Sequence, residues 1–463
     1  MTATEIHNEY RGAQFGDKRR SDRLVRIGEV LARDPDLSFP EAMASEGQLK
    51  ALYRFLNNRE VTFERVTAPH VRRTAQRCRR LDQVLVLHDT TAFELPGKRE
   101  GLGRIHGSAT GFFLHASLAV SADRTPLGLL ASETLVRSGP ARCTRSRSKR
   151  VLRHNPARES LRWWRGVERS CKSLGFPERA IHVMDREGDN YDLYSHLQAG
   201  GIRHVVRLAH NRNLVGREEG LKKVASRAKG VFRRKVHIGP RARPLPYDQR
   251  RHPEREARHV SLSVSAMPVE LRRPTNFASG SPPSLKVNVV TATEVRCPRG
   301  CEPICWHLVT TEPIDSVEQI EAIIDAYRTR WMVEEFFKAL KTGCRFERRQ
   351  LESYHSLTNA LGIFLPIAVR LLALRSAARA EPEAKCVSLS KRQIRLLRRH
   401  TTRWMSESPT NQEVFLALAE LGGHLRSNGP PGWLVLGRAL ERLLLLELGW
   451  LDRSRAGRNA IDD

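Results

Sequence analysis

Three carboxylates in this sequence stand where metal-assisted chemistry would need them. Asp89 ends the apolar run VLVLHDTT, Asp185 ends AIHVMD, and Glu334 lies within YRTRWMVEEFFKALK. Around Glu334, the residues Tyr327, Arg330 and Lys341 complete the spacing Y-x2-R-x3-E-x6-K. At about 100° per helical residue all four fall within an arc of roughly 60°. One face would then carry an acid, two cations and an aromatic hydroxyl. Taken singly, plainer readings stay open: strand-end acids commonly cap a following helix, and a helical Glu is commonly solvated or paired at i,i+4, here with Lys338. Phe336, Phe337 and Leu340 make the remainder of that helix apolar, so it must be packed. A packed helix presenting an acid among cations suits a site that holds metal and phosphate together. Phosphodiester cleavage or strand transfer with two divalent metals needs hard oxygen ligands that leave positions open for water and phosphate oxygens. No Ser-His-Asp set, P-loop or dinucleotide fingerprint competes with this chemistry.

The elements that must position these residues follow from hydrophobic periodicity. The first 75 or so residues read as helices; Asp17–Ala32 places Leu24, Ile27, Val30 and Leu31 on one face, with Arg19, Arg20 and Arg23 near its start. From residue 84 short apolar runs (VLVLHDTT, FFLHASLAVS, PLGLLASETLV, AIHVMD, HVVRL) predict strands, with one helix at Leu161–Leu174. Between about Asn211 and Pro303 the chain turns Arg-, Pro- and Ser-rich around β-like runs at HVSLSVSA and LKVNVVTA. A strand at WHLVTT and one long helix from Val317 to about Lys341 follow, and beyond Leu357 the pattern is helical. Strands mixed with helices predict an α/β layered domain.

Composition narrows the partner. The chain has 463 residues, with 79 Lys and Arg against 51 Asp and Glu, for a net charge of +28. Charge runs are commonly solvated faces. Here the excess recurs in Arg142–Arg158, Arg217–Arg258 and Lys391–Arg403 and persists through segments that read as folded, which favours nucleic acid over an anionic membrane. No apolar run approaches the roughly 18 residues that span a bilayer, and the start shows no signal-peptide core, so a cytoplasmic location is expected. Eight scattered cysteines predict free thiols, and Cys297, Cys301 and Cys305 lack a well-placed fourth ligand for zinc.

The Tyr327, Arg330, Glu334, Lys341 string resembles the Y-R-E-K signature of the IS-four group of bacterial DDE transposases, the family of the Tn-five transposase. DTT at Asp89 and DRE-D from Asp185 to Asp189 sit in matching surroundings. FGDKRRSDRLV and ALYRFLNN are similar to the family's DNA-binding domain, and WHLVTTEP to the strand before its signature helix. The resemblance implies that Asp89, Asp185 and Glu334 form a triad holding two Mg²⁺ or Mn²⁺ ions in an RNase H-like core over residues 79–356, with a β-rich insertion at about 211–303. It implies a helical DNA-binding domain over 1–78 and a helical dimerisation region over 357–463. Tyr327, Arg330, Lys338 and Lys341 would grip phosphates near the cleaved end. Arg207 would contact the end DNA, and Arg19, Arg20, Arg23 and Arg54 the terminal inverted repeat further out. Trp306, on its own readable as a core tryptophan, would stack on a flipped base. The implied activity is cut-and-paste transposition on double-stranded DNA by a homodimer, in a nucleoid-associated protein. An inactive DNA-binding regulator and a sequence-tolerant nuclease are the other readings. The segment from Arg212 to Pro303 follows the family only loosely.

Overall fold

Three acids are useful only if the elements that carry them are held rigidly, and the fold shows how that is done. The computed structural model describes residues 3–33, 35–137, 158–239, 254–275, 281–298, 301–380, 382–386, 388–425, 427 and 429–459. Most of the basic stretch Arg142–Arg158 and part of Arg217–Arg258 lie outside them.

Helices α1 (Ala3–Tyr10), α2 (Lys18–Arg33), α3 (Phe39–Ala42), α4 (Glu46–Leu56) and α5 (Phe63–Cys78) open the chain. Strands β1 (Val84–Glu94), β2 (Gly103–Arg104), β3 (Thr110–Ser121) and β4 (Pro126–Leu135) follow. Next come α6 (Arg162–Leu174), β5 (Ala180–Met184), α7 (Tyr191–Ala199), β6 (His204–Arg207) and α8 (Leu221–Ser226). Four strands succeed them: β7 (Phe232–Ile238), β8 (Arg258–Arg272), β9 (Ser284–Val295) and β10 (Cys305–Thr310). The remaining helices are α9 (Val317–Thr329), α10 (Trp331–Lys338), α11 (Tyr354–Ala380), α12 (Lys391–His400), α13 (Asn411–Leu421) and α14 (Trp433–Asn459). Every strand expected from the apolar runs is present.

Two compact units result. The first comprises Met1–Ser146, Arg165–Gly175 and Trp331–Asp463, the second Arg147–Trp164 and Phe176–Arg330. This division cuts across the three segments expected from sequence, because the N-terminal and C-terminal helices pack into one body. Its centre is α11, which meets α5, α2, α4 and β4. Tyr10 Oη donates to the Ile363 carbonyl at 2.7 Å, and Asn359 Nδ2 donates to the carbonyls of Leu56 and Val61. α11 also corrects the expectation about apolar runs: by length and composition it could cross a membrane. Its apolar window is 94% buried inside the protein, as in the core helix of a folded domain. Within this unit β3 lies between β1 and β4, and all three pairings with β3, including that of β2, are antiparallel.

The second unit has a mixed sheet in the order β5-β6-β10-β9-β8-β7. β5 and β6 are parallel, as the α7 crossover between them requires, and the other pairs are antiparallel. The long β8–β9 ribbon, paired from Ser261 opposite Val295 to Arg272 opposite Ser284, forms the β-rich stretch expected there. α9 starts with a capping box from Ser316 and Gln319 and buries Ile320, Ile323 and Ile324.

The long helix expected from Val317 to Lys341 is not continuous. α9 ends at Thr329, α10 starts at Trp331, and a π-helical turn takes over at Ala339–Gly343. Neither proline nor glycine stands at the first break. Thr329 Oγ1 donates back to the Asp325 carbonyl at 2.8 Å, a side-chain competition that bends helices, and Arg330 N bonds the Tyr327 carbonyl in a tighter i→i−3 turn. The second break follows the i→i−5 bond from Cys344 N to the Ala339 carbonyl.

Candidate active site

In the second unit, four of the expected residues meet. Leu308 of β10 pairs with Arg207 of β6, so Trp306, two residues earlier, presents its side chain to the same face as Arg207. The Trp306 ring meets Tyr327 of α9 edge to face at 5.5 Å, and Arg207 Nη1 donates to Tyr327 Oη at 3.4 Å. The Arg330 guanidinium lies 6.0 Å from the Tyr327 ring centre. Tyr327 is buried, while Arg207, Trp306 and Arg330 are half-buried. The result is a fixed aromatic hydroxyl flanked by cations that remain accessible, the composition expected for gripping phosphate beside a base.

Asp185 follows β5 directly. Its Oδ1 accepts the Glu187 N–H at 2.8 Å, so it caps the short 3-10 turn Arg186–Gly188. Arg186 is a further member of the cluster that spacing did not single out. Desolvation and then the neighbouring Arg207 pull its guanidinium below the ordinary value, against the opposing effects of Tyr327, Asp185 and Glu302. Its adjacency to Asp185 in the sequence was the available signal. Asp189, quoted within DRE-D but given no role, proves to be an anchor. It accepts the N–H groups of Ala209 (2.6 Å) and His210 (2.7 Å), the Tyr194 hydroxyl (3.0 Å) and the Arg212 guanidinium (2.5 Å). These bonds fix the loop that begins two residues after Arg207.

In the first unit Asp89 sits midway along β1, where the strand passes from fully buried to half-buried positions. Its Oδ1 accepts the Thr90 N–H at 2.7 Å. Its neighbours are set by buried histidines: Ser117 Oγ lies 3.0 Å from His88 Nδ1, and Thr90 Oγ1 lies 3.0 Å from His115 Nδ1. Gly166 of α6 covers both rings, and a Cβ there would come within 2.8 Å of His115 Nε2. α10, which carries half-buried Glu334, packs against β1. Lys341 Nζ donates to the Ala92 carbonyl of the same strand at 2.5 Å and lies 3.4 Å from Glu347. Lys338 is exposed and paired with Glu335 at 2.8 Å. Asp89, Glu334 and Lys341 therefore belong to one strand and the helical segment packed on it, whereas Asp185, Tyr327 and Arg330 belong to the other unit.

Carboxylates are the right donors for a hard divalent cation. Among the described residues, however, no three His, Cys, Asp or Glu side chains gather closely enough to hold a metal ion. Asp89 and Asp185 both direct an oxygen to nearby backbone N–H groups. Cys297 Sγ donates to the Cys301 carbonyl at 3.4 Å, and Cys305 Sγ lies 3.4 Å from His307 Nε2.

At the N-terminus, Arg19, Arg23 and Arg54 are exposed on α2 and α4, while Arg20 Nη1 donates to the Phe15 carbonyl at 2.9 Å and so partly serves the fold.

Residues 4–61 match the transposase DNA-binding family, and residues 165–367 match the transposase DDE domain family. The first takes in all four N-terminal arginines. The second takes in Asp185, Arg207, Trp306, Tyr327, Arg330, Glu334, Lys338 and Lys341, and leaves Asp89 outside. Among solved structures, a chain of the piggyBac transposase synaptic complex with hairpin DNA is similar at a TM-score of 0.38 and 11% identity, over 81% of this chain and 71% of that one. That likeness is too weak to bear on individual residues. A basic helical start with exposed arginines and a cation-aromatic cluster beside Asp185 thus coincide with the two family matches: the chain carries a transposase DNA-binding domain and a transposase DDE domain.

Proposed function

We propose that this protein is a cut-and-paste DNA transposase of the IS-four type, working on terminal inverted repeats as a homodimer around an RNase H-like core. The observation that carries the reading is the meeting of Arg207, Trp306, Tyr327 and Arg330 beside Asp185 within the DDE match. Asp89, Asp185 and Glu334 are the residues that would hold Mg²⁺ or Mn²⁺, with Asp89 and Asp185 exchanging a local N–H for the cation. Two such ions, when bound, activate the attacking oxygen and stabilise the departing 3′-oxygen.

The chain's own part is positioning. Arg207, Arg330 and Lys341 neutralise phosphate oxygens, and Tyr327 donates a hydrogen bond to them. In this reading water attack first nicks the transposon end. The freed 3′-hydroxyl then attacks the opposite strand to form a hairpin, which is reopened before strand transfer. Trp306, at the edge of the cluster, receives the base that must leave the stack for the hairpin to close.

Cleavage of a cognate end in Mg²⁺ tests this. The wild type should cut, and Glu334→Gln should bind the end yet lose cutting by about a hundred- to a thousandfold, the scale of a lost electrostatic group at a reacting centre. A wild type that binds without cutting would instead make the protein a DNA-binding regulator. Cutting without an inverted repeat and without joining would make it a nuclease. Trp306→Ala should impair hairpin formation more than the first nick; equal loss of both would reject the base-stacking role.

A further inference from the structure

We propose that the outer face of α12 and the neighbouring Trp404 form a second nucleic-acid docking surface, in which Lys391, Arg395 and Arg399 take the phosphates of a DNA strand and Trp404 stacks on an unpaired base. The proposal reaches beyond the transposition chemistry and does not depend on the three acids.

α12 is amphipathic by construction. Gln393, Leu396 and Leu397 are buried and the helix packs on α13 and α14, while Lys391, Arg395, Arg398, Arg399 and His400 face solvent. No acidic residue occurs from Lys391 to Ser406. Some of its cations serve the fold: Arg392 approaches Glu447, Arg403 pairs with Glu420 at 3.5 Å, and Arg398 donates to the carbonyls of Ser406 and Glu407. Lys391, Arg395 and Arg399 make no such contact with a described residue. At i, i+4 and i+8 they form a ridge with a step of about 6 Å, comparable with the spacing of successive phosphates along a strand. Cations on a helix are usually just solvated, so the ridge alone would carry little.

The aromatic beside it changes that. Trp404 is 78% exposed and stands four residues beyond the end of the helix, within about 14 Å along the chain. Its backbone is pinned on both sides. Thr402 N and Oγ1 bond Glu420 at 2.8 and 2.7 Å, Met405 is buried, and the Ser406 carbonyl is held by Arg398. An indole kept in water on an anchored segment, next to a ridge of solvated cations, is preorganised for a flat, electron-rich partner beside a polyanion. A nucleic-acid strand with an unstacked base meets both requirements.

The test uses the full-length protein, a labelled 20-nucleotide single strand of unrelated sequence, and a duplex of the same length, titrated at several salt concentrations. Lys391→Gln/Arg395→Gln/Arg399→Gln should flatten the single-strand salt slope by about two, at about 0.7 for each phosphate no longer neutralised. A control lowering net charge equally at exposed Lys98, Lys172 and Lys286 should leave it unchanged. Trp404→Ala should weaken single-strand binding about 5- to 100-fold with the slope intact, and affect the duplex less. Trp404→Phe should restore most of the loss, which separates stacking from misfolding. An equal slope change in the control, or an unaltered affinity in Trp404→Ala, overturns the proposal. So does a charge variant that changes the oligomeric state while its DNA binding stays as in the wild type, since the face would then join protein copies.

Discussion

In the first unit one buried ionisable cluster ties α1 to α5. Glu9 is almost fully enclosed, with its carboxylate between His70 and the Arg77 guanidinium. Burial alone would raise its pKa, but those two partners overcome burial and bring it down to about 2. In the second unit the strands beneath the candidate site instead bury imidazoles. His182 and His204 are neighbours across β5 and β6, and burial lowers them to about 3 and about 4. Asp189, a buried carboxylate beside that site, is tied to Arg212 and to the loop after Arg207. The contrast teaches that one unit uses buried charge to lock helices together, while the other uses it to hold a loop at the candidate site and buries imidazoles in two of the strands beneath it.

The largest effect should come from breaking the loop anchor. Asp189→Ala leaves Arg212 buried without its partner, and breaking such a pair costs about 3–5 kcal/mol. Chemical denaturation should show that loss, and DNA-end binding should fall with it because Arg207 loses its support. If stability drops while end binding holds, the loop does not position Arg207.

Acidification sharpens the contrast next. The folded pKa of each buried histidine lies below the unfolded value, so its contribution is complete above about pH 6.5 and is lost as the pH falls towards 4 and 3. At pH 5 that amounts to about 2 kcal/mol per histidine. Glu9 is also depressed, and its contribution persists above about pH 4.5, being lost only between there and 2. Amide exchange, corrected for its intrinsic pH dependence, should therefore show β5 and β6 opening between about pH 6.5 and 4.5 while α1 and α5 remain protected. Simultaneous opening would break the comparison.

The smallest effect concerns the interrupted helix. Thr329→Val keeps the side-chain shape but removes the back-bond to Asp325, changing stability by less than about 1 kcal/mol. End cleavage by this variant measures whether the break at Arg330 matters: an altered rate at constant stability says that it does.

Much of the site was legible in the sequence because its signals are local. The apolar runs ending in Asp89 and Asp185 are strands or lead directly out of them, and Trp306 and Arg207 could be placed on strands before any pairing was known. The helix expected to carry Tyr327, Arg330, Glu334 and Lys341 is interrupted for an equally local reason that pattern reading overlooks. A threonine hydroxyl and a π-helical turn interrupt the ladder where the apolar periodicity runs on unbroken. Asp189 was passed over because its donors come from residues up to 23 positions later, and nothing in DREGD distinguishes an anchor from a solvated acid.

Residue type, order and periodicity thus determined the helices and strands, the basic character, and the residue classes able to handle phosphate, since those depend on each side chain's own chemistry and on spacing along the backbone. Tertiary structure alone decided that N- and C-terminal helices share one core and that Arg207, Trp306 and Tyr327 meet. It also decided that α11 is buried in protein, because burial and contact depend on which distant surfaces exclude water together.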